Sequence, residues 1–188
     1  MAGPALKITF TLDEDDLAYY RRLFRQARRG AEELGADRIS RGARKLVESV
    51  RKAKKTPSFV KEAADELESL IEMVQDEEWA LPRSVASQVL AALAYFANPK
   101  DLVPDHLPGL GFLDDAIMIR IMSEQFKHEL WAYKRFCAFR RGMEQRPWTP
   151  VAKERRARRL AEKRRELRAK IAERKARKTT RSRLRLVW

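Results

Sequence analysis

Four aspartates crowd one short stretch of this chain, and they are its first candidates for chemistry. The stretch reads Asn98-Pro99-Lys100-Asp101-Leu102-Val103-Pro104-Asp105-His106-Leu107-Pro108-Gly109-Leu110-Gly111-Phe112-Leu113-Asp114-Asp115. Asp101, Asp105, Asp114 and Asp115 offer the hard oxygen donors that Mg²⁺ or Ca²⁺ prefers. One function consistent with them is a divalent-cation-dependent enzyme. Asp114 and Asp115 are adjacent and cannot point the same way on a helix, so one would cap and the other bind. The spacing is not that of an EF-hand. His106 is the only histidine of the loop, and His128 lies one long helix away, so neither suggests a zinc or catalytic histidine.

The same residues have a structural reading, which the composition favours. Three prolines and two glycines in 18 residues forbid a helix through most of the stretch. Leu102, Val103, Leu107, Leu110, Phe112 and Leu113 make it more apolar than a surface loop. Asp101 and Asp105 can bond backbone amides of turns. Asp114 or Asp115 can cap the helix that follows, where the partial positive charge favours an acid. The expectation is a rigid Pro/Asp-rich corner folded back between two buried helices, with no cofactor firmly required.

The elements around the corner read as helices. Lys7–Leu12 alternates polar and apolar residues and is expected to form a short strand or arm. Thr11 to Glu14 has the form of a capping box, opening a helix to about Leu34. Gly35 ends it. A second helix runs to about Lys54 with Ala43, Leu46, Val47 and Val50 inward. Thr56-Pro57 opens a third, which carries Phe59, Val60, Ala63, Leu67, Leu70, Ile71 and Val74 and ends in the acidic run Asp76, Glu77, Glu78. After Leu81-Pro82 a helix to about Ala97 is apolar nearly all round, as buried helices are. Beyond the corner one long helix is expected from about Leu113 to Gly142, with Ile117, Ile121, Leu130, Tyr133, Phe136 and Cys137 inward. The fold class is mainly α, a multi-helix bundle.

Here the chain resembles a known family. Tyr95, then Pro99, Asp101, Leu102, Pro104 and Asp105, then Pro108, Gly111, Asp114 and Asp115, match the hallmark of the YkvA-type domain, a bacterial domain of unknown function. The hallmark covers about residues 82–125, and the preceding helices, including DEEWALP, look like the longer, soluble branch of that family. The resemblance implies helices flanking a Pro/Asp corner and implies no established activity. Members are often labelled membrane proteins because the helix pair around the loop is apolar. In this chain the longest apolar stretch, Val89–Ala97, is far below the roughly 20 residues that span a bilayer.

Composition narrows the function classes. Cys137 is the only cysteine, so an intramolecular disulfide and a zinc cluster are excluded. Flanked by Phe136, Ala138 and Phe139, it reads as a structural thiol in a reducing compartment. No secretory signal, P-loop, dinucleotide fingerprint, Gly-x-Ser-x-Gly or His-Glu-x-x-His is visible. The formal net charge is +14 over 188 residues. Residues 151–188 hold 17 Lys+Arg against 4 Asp+Glu, so almost all of that charge sits in the last fifth of the chain. A nearly neutral body, residues 6–146, is followed by a polybasic helical extension, residues 147–188.

The extension carries Arg155, Arg156, Arg158, Arg159, Lys163, Arg164, Arg165, Arg168, Lys170, Arg174, Lys175, Arg177 and Lys178 on several faces, then Arg181, Arg183 and Arg185. Its apolar stripe is thin (Ala157, Leu160, Leu167, Ile171), and the helix is expected to bury too little to hold itself in a core. Arginines pair phosphates and stack on bases, so nucleic acid is the expected partner, structured RNA or the ribosome foremost, with the basic helix inserted in an A-form duplex. An anionic membrane surface is the alternative. The body offers a surface for a protein partner or homodimer. The expected role is a non-enzymatic binding or adaptor protein of the bacterial cytoplasm, or one peripheral at the inner membrane.

The corner reading makes a simple prediction. Titration with Mg²⁺, Ca²⁺ or Mn²⁺ releases no heat and leaves the melting temperature unchanged. Heat with a rise in melting temperature establishes the aspartates as a cation site instead.

Overall fold

The computed structural model describes residues 13–15, 18–19, 22, 34–53, 56–97, 112–144 and 151–184, with side chains of the last helix described over 153–177. The expected strand over Lys7–Leu12, the corner over 98–111 and the final residues 185–188 lie outside them. Among the described residues every regular element is a helix: α1 (Ala36–Lys52), α2 (Ser58–Gln75), α3 (Arg83–Leu93), α4 (Leu113–Gln125), α5 (Lys127–Glu144) and α6 (Val151–Leu184). The mainly α bundle expected from the sequence is the observed architecture.

The chain before α1 is helical at residues 14, 15, 18, 19, 22 and 34. Its start is capped by Asp13, whose Oδ1 accepts the Asp15 amide hydrogen at 2.9 Å. Gly35 then takes φ +71°, which a side chain would resist, and α1 begins. Ile39, Ala43, Val47 and Val50 recur at helical spacing and are buried against α2 and α3. Thr56 closes the end of α1 by donating its hydroxyl to the carbonyls of Val50 (3.2 Å) and Ala53 (3.1 Å). Pro57 sits one residue before α2, where its carbonyl accepts the amides of Val60 and Lys61.

The second helix is the axis of the body. It packs against α1, α3, α4 and α5 and buries Val60, Ala63, Ala64, Leu67, Leu70, Ile71 and Met73. Its rim is ionic: Arg51 of α1 pairs with Asp65 and Glu68, and Arg120 of α4 with Glu62 and Glu66. Phe59, expected among the apolar positions of this helix, is 40% exposed near its start.

Four elements depart from the sequence reading. The helix expected to be buried nearly all round ends at Leu93, continues as turns to Ala97, and fully buries only Val89, Ala92 and Leu93 of its own length. Ser84, Ser87 and Gln88 give it a wet side. The long helix expected over 113–142 is two helices, because Phe126 leaves helical geometry (φ −103°, ψ 18°) while its buried ring anchors the joint. In α4 the fully buried residues are Met118, Ile119 and Met122, and Ile117 and Ile121 are only half-buried. Arg120 turns outward to α2's acids and sets that rotation.

The largest departure is α6. Leu160 and Leu167 are almost wholly buried, and Ile171 packs on the same core. The helix lies along α5, antiparallel to it: Arg156 pairs with Glu144 at one end and Lys175 with Glu129 at the other. It is not a free tail. A thin apolar stripe suffices because arginine and lysine stems extend the covered surface and their heads find acceptors on the body.

Close approach of α1 to the end of the α3 turns gives a test of this packing. A Cβ on Gly42 would stand 2.7 Å from both Cα and Cβ of Ala97. Gly42→Ala is therefore expected to cost about 1–3 kcal/mol, read as a lowered midpoint in urea unfolding. An unchanged midpoint would contradict the α1–α3 contact.

Candidate functional site

The polar centre of the described structure is the turn Asp76–Ala80, which the sequence suggests only as the acidic end of a helix. Asp76 Oδ1 accepts the Trp79 amide hydrogen at 2.9 Å, and the Asp76 carbonyl accepts that of Ala80 at 2.9 Å. Ala80 adopts φ +47°, a conformation that non-glycine residues seldom take. The turn drives Trp79 fully into the core, with ring centroids 5.2 Å from Phe136 and 5.9 Å from Tyr133. A tryptophan directly after an acidic run was the available sequence signal for this anchor.

Arginines from two helices close on the turn. Asp76 Oδ2 accepts from the Tyr133 hydroxyl (3.1 Å) and pairs with Arg140 of α5 (2.8 Å). Glu78 pairs with Arg140 (3.1 Å) and with Arg156 of α6 (2.5 Å). Arg164 donates to the Glu78 carbonyl at 2.9 Å, and Arg168 to the carbonyls of Trp79 (3.1 Å) and Ala80. Burial works to raise the Glu78 pKa, but hydrogen bonds from Arg156 and Arg140 outweigh it and hold the carboxyl below its ordinary value. Burial, and then neighbouring Arg164, shift the Arg168 guanidinium down from its ordinary value.

Beside the clasp lies an open cleft of 560 Å³ lined in part by Arg44, Asp76, Glu78, Tyr133, Cys137 and Arg140. Arg140 pairs there with Asp76 and Glu78, Arg44 donates to the Gln75 side chain, and the lining mixes acids with arginines, so the cleft presents no single sign of charge. Burial pushes the Cys137 thiol up, which keeps it protonated at neutral pH and suits packing rather than nucleophilic attack. Burial likewise raises the Tyr133 hydroxyl above its ordinary value.

The cations expected on the extension divide into three groups. Arg156, Arg164, Arg168 and Lys175 face the body and are engaged by it. Arg159, Lys163 and Arg174 lie beside aromatic rings of α5, with Lys170 on the same side of the helix. Arg155, Arg158 and Arg165, with Lys153 at the start of the helix, are exposed. Arg158 pairs with Glu162 and Arg177 with Glu173, whereas Lys153, Arg155 and Arg165 have no ion-pair partner among the described residues. For Lys178, Arg181 and Arg183 only helical backbone is described, and Arg185 lies outside the described residues.

Of the candidate cation ligands, Asp101 and Asp105 lie outside the described residues. Asp114 and Asp115 both occupy the first turn of α4, Asp115 buried and Asp114 half-buried. Among the described residues no three His, Cys, Asp or Glu side chains converge as metal ligands do. Of the hallmark positions, Tyr95 is described as well, half-buried in the turns after α3 with its ring edge-on to Phe96 at 5.0 Å.

Residues 87–120, which join α3 to α4, match the model of a protein family of unknown function, DUF1232. The chain is also 38% identical over 58 residues to the uncharacterized membrane protein YkvA of Bacillus subtilis (strain 168). Over these residues the chain is similar to the YkvA-like family of unknown function. That alignment covers 29% of the chain and 55% of the relative, so the chain spans about half the length of the curated relative it matches. No solved structure matches the chain. Among the described residues no helix is long and apolar enough to cross a membrane.

The clasp around the Asp76–Ala80 turn is testable by pH. A carboxyl whose folded pKa is depressed stabilises the fold above its unfolded pKa, and that contribution fades as pH falls through the folded value. The melting temperature of Glu78→Gln should therefore lie below the parent's at neutral pH and converge on it near pH ~3. A gap independent of pH would show that the Glu78 charge is not what matters. Asp76→Ala, which leaves Arg140 with Glu78 alone and removes the acceptor of both the Trp79 amide and the Tyr133 hydroxyl, is expected to cost about 2–3 kcal/mol in the same melts at neutral pH.

Proposed function

We propose that this protein is a non-enzymatic binding protein that contacts nucleic acid, RNA foremost, through the cations of α6 that its own fold does not use. The observation that carries this reading is the direction of the apolar stripe. Leu160, Leu167 and Ile171 are spent on the body, so the outward side of α6 offers Arg155, Arg158 and Arg165 with only alanines as apolar neighbours among the described side chains. A surface of that kind suits phosphates, which need charge and no apolar insertion. At 34 residues the helix is about 50 Å long, enough to follow several phosphates.

A second reading, peripheral attachment to an anionic membrane at the bacterial inner face, is favoured by the description of the B. subtilis relative as a membrane protein. With the apolar stripe turned inward, such attachment would be electrostatic alone.

The structure also dictates how to test these readings. Deleting residues 151–188 would uncover the core, so substitution is the sound experiment. Arg155→Glu, Arg158→Glu and Arg165→Glu together spare every residue of the clasp. The triple variant should melt within a few degrees of the parent, bind RNA at least ~10-fold more weakly at 0.1 M salt, and show a log K versus log salt slope shallower by about 2–3. Binding of anionic vesicles without RNA binding would support the second reading, and binding of neither would remove both.

A further inference from the structure

The side of the α5–α6 pair that turns away from the clasp carries a second pattern. On α5, Trp131, Arg135 and Phe139 recur every four residues and share one side of the helix. On α6, Arg159, Lys163 and Arg174 share the adjoining side. The antiparallel register sets the two rows together. The Arg174 guanidinium lies 3.7 Å from the Trp131 ring centroid and that of Arg135 at 4.7 Å. Arg159 and Lys163 lie 5.9 and 5.6 Å from the centroid of Phe139. Trp131 and Phe139 are half-buried, while Arg135, Arg159 and Arg174 are exposed. Glu166 sits within the row between Lys163 and Lys170 and is outnumbered by them, so the face stays positive.

Two physical facts narrow what this face fits. A helix can enter a nucleic-acid groove only if its flanks are free, and α6 has α5 along one flank and the Asp76–Ala80 turn along the other. The deep, narrow major groove of A-form RNA is closed to such a pair of helices. A flat cation held over an aromatic ring is, by contrast, a platform on which an unstacked base can lie, with neighbouring cations placed for phosphates. Trp131 and Phe139 stand about 12 Å apart along α5, so two such platforms lie in line.

We infer that the Trp131–Arg135–Phe139 row of α5, with Arg159, Lys163 and Arg174 of α6, is a binding face for single-stranded nucleic acid, its bases stacking on the arginine-covered rings. This rests on the nucleic-acid reading above and sharpens it from nucleic acid in general to unpaired strands. It replaces insertion of α6 into a duplex, the expectation drawn from the sequence, with docking across a two-helix face.

The test uses the full chain and fluorescence anisotropy with a labelled 12-nucleotide single-stranded RNA and the corresponding duplex at matched salt. The expected result is binding of the single strand at least ~10-fold tighter than the duplex. Arg174→Lys, which keeps the charge and loses the plane, should weaken single-strand binding ~5- to 10-fold and leave both duplex binding and the salt slope unchanged. Trp131→Leu should do the same, and Arg174→Lys decides the matter if the leucine variant melts early. Equal binding of single strand and duplex, or an Arg174→Lys protein that binds like the parent, overturns the inference while leaving nucleic-acid binding intact. Failure of both RNAs to bind overturns the broader reading with it.

Discussion

The arginine clasp on the Asp76–Ala80 turn is the constraint on which the arrangement of α5 and α6 depends. Asp76 shapes the turn, the turn buries Trp79, and the carbonyls left exposed at its rim accept from Arg164 and Arg168. A helix interior satisfies its own carbonyls, but a turn does not, and unpaired buried carbonyls are costly. Here the basic helix supplies the missing donors. Leu160 and Leu167 add apolar burial beneath the same contact. Neither part would suffice alone: the stripe is too thin for a core helix, and ion pairs at a surface contribute little.

That division of labour changes the meaning of the charge. The net charge of +14 invites a single electrostatic explanation. In the structure the cations serve at least two ends. Arg156, Arg164, Arg168 and Lys175 are structural, and their loss would be read as instability. Arg155, Arg158 and Arg165 contribute little packing, and their charge is available to a partner. The row beside Trp131 and Phe139 belongs to both, since it packs on rings and still presents guanidinium planes to solvent.

Much of this was legible in the sequence, and the remainder failed for identifiable reasons. The helices were placed by Gly35, Pro57 and Pro82, punctuation with a direct backbone cause. The hallmark from Tyr95 to Asp115 identified the domain, and residues 87–120 match the corresponding family. The rotation of α4 was misread because Ile117, Met118, Ile119, Ile121 and Met122 make it apolar on several sides. Arg120 was the usable marker of its outer face. The break at Phe126 carries no glycine or proline and so left no local signal. The docking of α6 was missed because its acceptors are backbone carbonyls on a turn 86 and 89 residues earlier in the chain. Of the four candidate cation ligands, only Asp114 and Asp115 fall among the described residues, in consecutive positions of one helical turn.

The central claim is that α6 is part of the folded body and not a free basic tail. Native-state hydrogen exchange measures this directly. Amides of residues 156–175 should be protected to about the level of α5, and Glu78→Gln combined with Arg168→Ala should lower that protection while leaving α1 and α2 unchanged. Exchange across 156–175 at the rate of an isolated helix, unaltered by those substitutions, would contradict it.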